Sequence, residues 1–317
     1  MHRRLLLKTL PGLSLGLGAC TAPPAPLRVG AIAFAGYAFL FLAERLGRFD
    51  TAQLQLKELR SNTDALRALS THRIEAAALT LDEVITAVQE GVSLKVIAVL
   101  DSSQGADAVM ARPGITEPAQ ARGRRIGVEA TATGGLLLGA FLAKAGLRPI
   151  DVTPVPVRLA QAAEAYRSGR VDLAITAEPW VTTLEGLGAR RLFDSREMPG
   201  RIVDVLAVRS DAQDTHGSAL RALLAAHFAA LAAFQAQPAQ MALALAPWLK
   251  LAPDQVPSAF RGLHFPSPDE NRQLLAPGGA VAAGIPALVT QMRELGLLRG
   301  AVDTTGLLDP RWLPAAP

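Results

Sequence analysis

Shifting the 317-residue chain on itself by 97 positions lays Asp64–Thr80 over Gln161–Ala177. Ala65 and Ala162, Ala68 and Ala165, Arg73 and Arg170, and Ala77 and Ala174 then coincide, while Ile74 meets Val171 and Glu75 meets Asp172. Each copy reads as a helix, a tight turn, an acidic residue and a buried strand. Alanine richness alone accounts for some alanine matches, but not for the shared order of element types. Two similar α/β units in one chain predict two lobes, and the gap between lobes is a favoured place for a small ligand.

The surrounding pattern agrees. Leu27–Ala33, Leu54–Leu59, Ile74–Leu79, Leu94–Leu100, Arg125–Val128 and Val171–Ile175 read as strands, and Tyr37–Arg48, Asp64–Thr71 and Leu136–Ala145 as helices. Strands alternating with short helices mean an α/β fold. A chain this long, half of it hydrophobic, can bury a large core. Residues 27–110 are expected to begin the first lobe and 111–200 to form the second. Residues 201–317 then return to the first lobe with helical patterns at Ala219–Phe234 and Ala239–Trp248. The expected crossings lie near Val109–Arg112 and Val203–Val208. The stripe Leu220, Leu223, Leu224, Phe228 and Leu231 reads as a core face.

Cys20 is the only cysteine, and it ends Leu17-Gly-Ala-Cys20 behind an apolar stretch that opens with Arg3 and Arg4. Small residues before a cysteine that takes a lipid are the chemistry of a lipoprotein signal. A buried structural cysteine is the competing reading, but Pro11 and the glycines of this segment make a poor helix interior. Residues 1–19 are therefore expected to be a signal peptide, Cys20 the lipidated residue, and 20–26 a Pro-rich spacer. Arg3–Lys8 also resembles a twin-arginine export signal, so either export route is open. Without further cysteines no disulfide framework exists. The mean hydropathy of +0.25 comes largely from alanine. After the leader no stretch is expected to offer the roughly 18–20 apolar residues of a spanning helix; Ala222–Leu249 comes nearest and is broken by polar residues and prolines. The leader's Arg3, Arg4 and Lys8 supply much of the net charge of +4, so the remainder is close to neutral and lacks the basic stripe of a nucleic-acid binder.

A family resemblance rests on an ordered series of motifs. These are Val29–Tyr37, Leu42–Phe49, Asp101–Asp107, Gly123–Val128, Gly169–Ala174 and Glu178-Pro-Trp180. Together they resemble the solute-binding proteins of ABC importers, in the nitrate, sulfonate, taurine and thiamine-precursor group, over residues 27–210. The resemblance implies a two-lobed periplasmic-binding-protein fold of type II, each lobe a mixed sheet flanked by helices, with a hinge of two crossing strands. It implies a monomeric receptor in the periplasm or cell envelope, lipid-anchored to a membrane, that delivers a small solute to an ABC permease and its ATPase. It implies no catalysis, no cofactor and no metal.

In open α/β sheets ligands gather at the carboxyl ends of strands and the amino ends of the helices that follow. The candidates there are Gly36 and Tyr37 after the first strand; Ser61, Asn62 and Thr63, which also suit a helix cap; Thr131, Thr133 and Gly134, which can cradle an oxyanion; and Glu178 and Trp180, suited to an amine, with a hinge ion pair and a packing indole as the alternative. Thr80 and Asp82, the first-repeat counterpart of the Glu178 segment, and Asp101 complete the set. The segment Thr131–Gly135 lacks the lysine of a nucleotide-binding loop. The five histidines show no metal-ligand spacing and no neighbouring cysteine, which speaks against an enzyme. A non-transport envelope lipoprotein is the outside alternative. Among solutes, the helix termini favour a sulfonate or taurine-like zwitterion, with its cationic end near Glu178 and Trp180. A cationic nitrogen heterocycle such as a thiamine precursor is the other reading.

Overall fold

The structure, a computed structural model, describes residues 25–315. The leader, Cys20 and the start of the spacer lie outside them. Along the chain run strands β1 (Leu27–Ile32), β2 (Leu54–Leu59), β3 (Ala76–Thr80), β4 (Leu94–Ser103), β5 (Asp107–Ala111), β6 (Arg125–Val128), β7 (Thr153–Pro156), β8 (Leu173–Ala177), β9 (Arg190–Asp194), β10 (Val203–Arg209) and β11 (Leu263–His264). The helices are α1 (Ala38–Arg45), α2 (Asn62–Ser70), α3 (Leu81–Gln89), α4 (Ala132–Ala145), α5 (Ala162–Arg167), α6 (Trp180–Gly186), α7 (Gln213–Ala236), α8 (Pro238–Leu249), α9 (Val256–Ala259), α10 (Pro268–Leu275) and α11 (Ala280–Glu294).

The strands form two mixed sheets, ordered β2-β1-β3-β10-β4-β11 and β7-β6-β8-β5-β9. Leaving out the short β11, the two share one spatial order and one set of strand directions. β1 pairs parallel with β2 and β3 as β6 does with β7 and β8. β10 pairs antiparallel with β3 and β4 as β5 does with β8 and β9. β3 and β8, the repeat strands, are buried along their whole length. Such short continuous apolar runs suit strands covered on both faces.

The repeat also fixes an ion pair. Glu75 Oε2 accepts from the Arg28 backbone N–H at 2.8 Å and from its Nε at 3.0 Å. Asp172 Oδ2 accepts from the Arg125 backbone N–H at 2.9 Å and its Nε at 3.0 Å, and Oδ1 from Nη2 at 2.8 Å. Arg28 and Arg125 are again 97 residues apart. In both sheets the acidic residue before the repeat strand clamps the arginine beginning the neighbouring parallel strand, which sets their register.

The chain leaves the first sheet at Gln104 and joins the second by Asp107, a few residues before the expected crossing at Val109–Arg112. Val109 already faces Ile175 and Phe193 inside the second sheet. Val203–Val208 is likewise β10, deep in the first sheet, so the return runs through residues 195–202. The two crossings are tied together: Ser195 Oγ accepts from Gly105 N–H at 2.7 Å and lies 2.7 Å from Ser103 Oγ. One apolar cluster, including Leu79, Val96, Ile126, Phe141 and Leu173, runs through both lobes. A second, around Phe39 and its ring contacts with Phe234, Phe260 and Phe265, fills the first lobe beneath α7 and α8.

The helix expected at Ala219–Phe234 begins earlier, at Gln213. Contrary to the sequence expectation, Ser210–Ala236 is long and apolar enough to cross a membrane by length and composition. Its stripe Leu220, Leu223, Leu224, Phe228 and Leu231 is buried in the first-lobe core, as expected of a core face.

Candidate functional site

The carboxyl ends of the two sheets face one another across a cavity of about 50 Å³. The first lobe brings Phe34 after β1, Tyr37, Asn62 at the start of α2, Thr80 at the end of β3, Glu83 in the first turn of α3, and Asp204 in β10. The second brings Asp107 at the start of β5, Glu129, Thr131, Thr133 and Gly134 after β6, and Thr176 in β8. Among the described residues no lysine, arginine, histidine or cysteine lines this cavity.

Why the sequence sets these groups here is local. Thr80 and Glu83 form the capping box of α3, the Glu83 carboxylate accepting from the Thr80 N–H at 3.1 Å. The same carboxylate accepts from Asn62 Nδ2 at 2.9 and 3.1 Å. Thr133 donates to Asp82 Oδ2 at 2.9 Å and its Oγ1 lies 2.8 Å from that of Thr80, so the lobes touch through side chains. Asp204 is the cross-strand partner of Thr80 on one side and of Asp101 on the other, and accepts from the Tyr37 hydroxyl at 2.5 Å. Gly36 lets this wall close: a Cβ there would stand 2.0 Å from Asp101 Oδ2. Gly134 plays the same part opposite, where a Cβ would stand 2.3 Å from the Glu129 carbonyl oxygen.

The electrostatics follow from burial. Desolvation raises Asp107 to about 6. It also raises Asp82 against the hydrogen bond from Thr133, and Glu83, to which the charge of Asp82 adds. Asp204 is pushed well above the carboxylate range by burial and then by Asp101, and Tyr37 above the usual phenol by burial and Asp204. Two carboxylates side by side in low dielectric cannot both ionise, so Asp101 and Asp204 titrate as a pair. Asp101 finds no partner for either oxygen, and Asn62 Oδ1, Asp82 Oδ1 and Thr176 Oγ1 are buried without one. The cavity is therefore lined by carboxyl groups and by no fixed positive charge. An entering cation would draw the raised carboxyls back toward ionisation, whereas a desolvated anion would find no cation to pair with and would have to keep them protonated.

The structure brings Tyr37, Asn62, Thr80, Thr131, Thr133 and Gly134 to the cavity wall and places Gly36, Asp82 and Asp101 just behind it. The two helix N-termini expected to receive an oxyanion already face the protein's own carboxylates, Asn62 serving Glu83 and Thr133 serving Asp82. Ser61 is a cap, accepting from Asp64 N–H at 3.2 Å, and Thr63 is exposed on the outer face of α2. Glu178 is fully buried and turned inward, accepting from Thr182 N–H at 2.9 Å. It does not line the cavity, and Trp180 borders an outer depression that adjoins it. Asp107, Glu83, Glu129 and Asp204 were not among the sequence candidates. The signal for Asp107 and Asp204 was a single carboxylate at or next to the start of a largely apolar strand, a residue type almost never buried without a reason.

Solved structures of the same fold include the zinc-bound ligand-binding component of an ABC-type import system from Staphylococcus aureus, 17% identical, TM-score 0.75, covering 92% of this chain and 98% of that one. The alkanesulfonate-binding protein SsuA of Xanthomonas axonopodis pv. citri, bound to MOPS, is 20% identical with TM-score 0.75 over 91% and 99%. The desulfurization enzyme DSZB is 18% identical with TM-score 0.65 over 92% and 98%. These likenesses establish the two-lobed periplasmic-binding-protein fold. No curated protein matches the sequence. Among the described residues no group of three or more His, Cys, Asp and Glu is arranged to hold a metal ion. A family model matches residues 21–249, and the chain belongs to the NMT1-like family.

Proposed function

We propose that this protein is an extracytoplasmic receptor that closes two lobes on a small cationic solute, a protonated amine or a cationic nitrogen heterocycle, and hands it to an ABC importer. One observation carries the reading: the interlobe cavity is lined by Glu83, Asp107, Glu129 and Asp204 and by no basic side chain. This favours the cationic alternative over the sulfonate or taurine-like ligand that the helix termini alone suggest. Binding rather than catalysis is supported by the import-system and alkanesulfonate-binding proteins among the structures of the same fold. A lipid on Cys20 would hold the receptor at the membrane, and loss of fatty-acid labelling in Cys20→Ala is the expected outcome of that test.

The ligand class is tested by a thermal-shift screen of the mature protein. A ligand at a hundred times its dissociation constant adds about 2.7 kcal/mol, worth several degrees at about 2–4 °C per kcal/mol. Choline, thiamine and small protonated amines are expected to include stabilisers. Nitrate and methanesulfonate are expected to give no shift. Stabilisation by the anions and by none of the cations would overturn the reading.

A further inference from the structure

Outward from the acidic chamber the cleft opens into a second depression of about 570 Å³, which shares Ile32, Glu129 and Leu159 with it. Its character is opposite. Arg60 and Lys250 border it from the first lobe, Arg158 from the second, and Trp180 and Trp248 supply aromatic walls. None of the three cations is in a carboxylate ion pair among the described residues. Trp248 is held nearly flat on Phe41, ring centroids 4.4 Å apart, and its buried indole N–H has no acceptor within the protein. Glu58 also borders the depression, and Glu129 stands where the two chambers meet, raised by burial and lowered by Arg158.

A bare cation would pass three positive side chains to reach the acidic chamber, a field that slows its entry. A solute with opposite charges at its two ends meets no such conflict. Planar guanidinium groups match phosphate oxygens bidentately, and a dianion gains from several cations at once. We propose that this mouth is a phosphate-monoester subsite, so that the solute carries a phosphoryl group at the end away from its cationic head. This inference rests on the cation reading above.

The experiment is calorimetry with two pairs of probes, choline with phosphocholine and thiamine with thiamine monophosphate, on the wild type and on Arg60→Gln/Arg158→Gln/Lys250→Asn. Asparagine tolerates the left-handed backbone at position 250, φ 57°. In at least one pair the phosphorylated member is expected to bind ten or more times tighter at low salt. That advantage should fall to within twofold in the triple variant and shrink as salt rises, while affinity for the unphosphorylated head and the melting temperature stay unchanged. Heads that bind equally well with and without phosphate, or a phosphate advantage that survives in the triple variant, would overturn the subsite and leave the cation receptor standing. If none of the four binds, the cation reading fails and the subsite fails with it.

Discussion

The two lobes share one five-strand arrangement, yet they arm the same places differently. At the end of the repeat strand the first lobe has Thr80-Leu-Asp-Glu83 and the second has Ala177-Glu-Pro-Trp180. In the first lobe the capping box turns Glu83 into the cavity. In the second, Glu178 caps the following backbone from inside and the indole faces outward. One step across each sheet the lobes agree again. Asp204 pairs with Thr80 and Asp107 with Ala177, the positions the repeat equates, so each hinge-side strand delivers one buried aspartate to the cleft. The scaffold is duplicated, and the carboxyls of the cavity stand at the two hinge strands, at Glu83 of the first lobe and at Glu129 of the second.

The largest expected effect tests this asymmetry. Asp107→Asn keeps shape and removes charge, and loss of a buried charged partner costs about 2–5 kcal/mol in binding. The affinity for the tightest cation of the screen should fall at least 30-fold by calorimetry, while Glu178→Gln should stay within threefold. Equal losses would put Glu178 back in the binding site.

Next is the dependence of stability on pH. A buried carboxyl whose folded pKa is raised binds its proton more tightly folded than unfolded, so no penalty exists below the ordinary value near 4 and it grows as pH rises toward the folded value. For Asp107, raised from 3.8 to about 6, the penalty is on the order of 2–3 kcal/mol and accumulates between those values. Glu83 and Asp101, raised to about 8, extend the loss to higher pH. Buried His227, lowered to about 4 by desolvation, acts oppositely and costs stability as pH falls from 6.5. The unliganded protein should therefore melt several degrees higher at pH 5.5 than at pH 8. A maximum at pH 8 would contradict the burial of these carboxyls.

How far the cleft was legible in the sequence follows from where each residue sits relative to the repeat. Thr80, Asn62, Thr131 and Thr133 stand at helix starts after strands, where cap chemistry and ligand chemistry share residue types, so position alone found them. Glu178 was found by the same rule and turned the other way, because a cap may point inward or outward and sequence does not set which. Asp107 and Asp204 escaped because their strands fall outside the 97-residue overlap and pair in permuted order, β5 before its repeat strand and β10 after. Strands such as β1, β3, β6 and β8 were legible as short, largely apolar runs, while β7 and β9, Thr-Pro-Val-Pro and Arg-Arg-Leu-Phe-Asp, carry too few apolar residues to stand out. The crossing points were not legible, because the apolar runs expected as crossings, near Val109 and at Val203–Val208, pair inside the sheets as β5 and β10.

A smaller effect is expected at the glycines that close the cleft. Gly36→Ala and Gly134→Ala force a methyl onto Asp101 and onto the Glu129 carbonyl and should each cost about 1–3 kcal/mol. Gly135→Ala meets only the movable Leu297 side chain and should be near neutral. Chemical denaturation separates the three. Smallest are the paired clamps. Glu75→Ala should cost on the order of 1 kcal/mol after allowance for solvent, since the Arg28 side chain is 37% exposed. Asp172→Ala should lower the melting temperature by a similar amount, and a clear difference between the two would break the equivalence of the lobes.

On the proposed reading, ionised carboxylates of both lobes bind a cation. The most direct measurement is calorimetry at pH 5, 6, 7 and 8 with the tightest permanently charged cation of the screen, whose own charge does not titrate. Affinity should rise at least tenfold from pH 5 to pH 8, with protons released on binding, because Asp107, Asp82 and Glu83 must lose theirs. Affinity that is flat or falls as pH rises, or a sulfonate that binds and tightens toward acid, would contradict it.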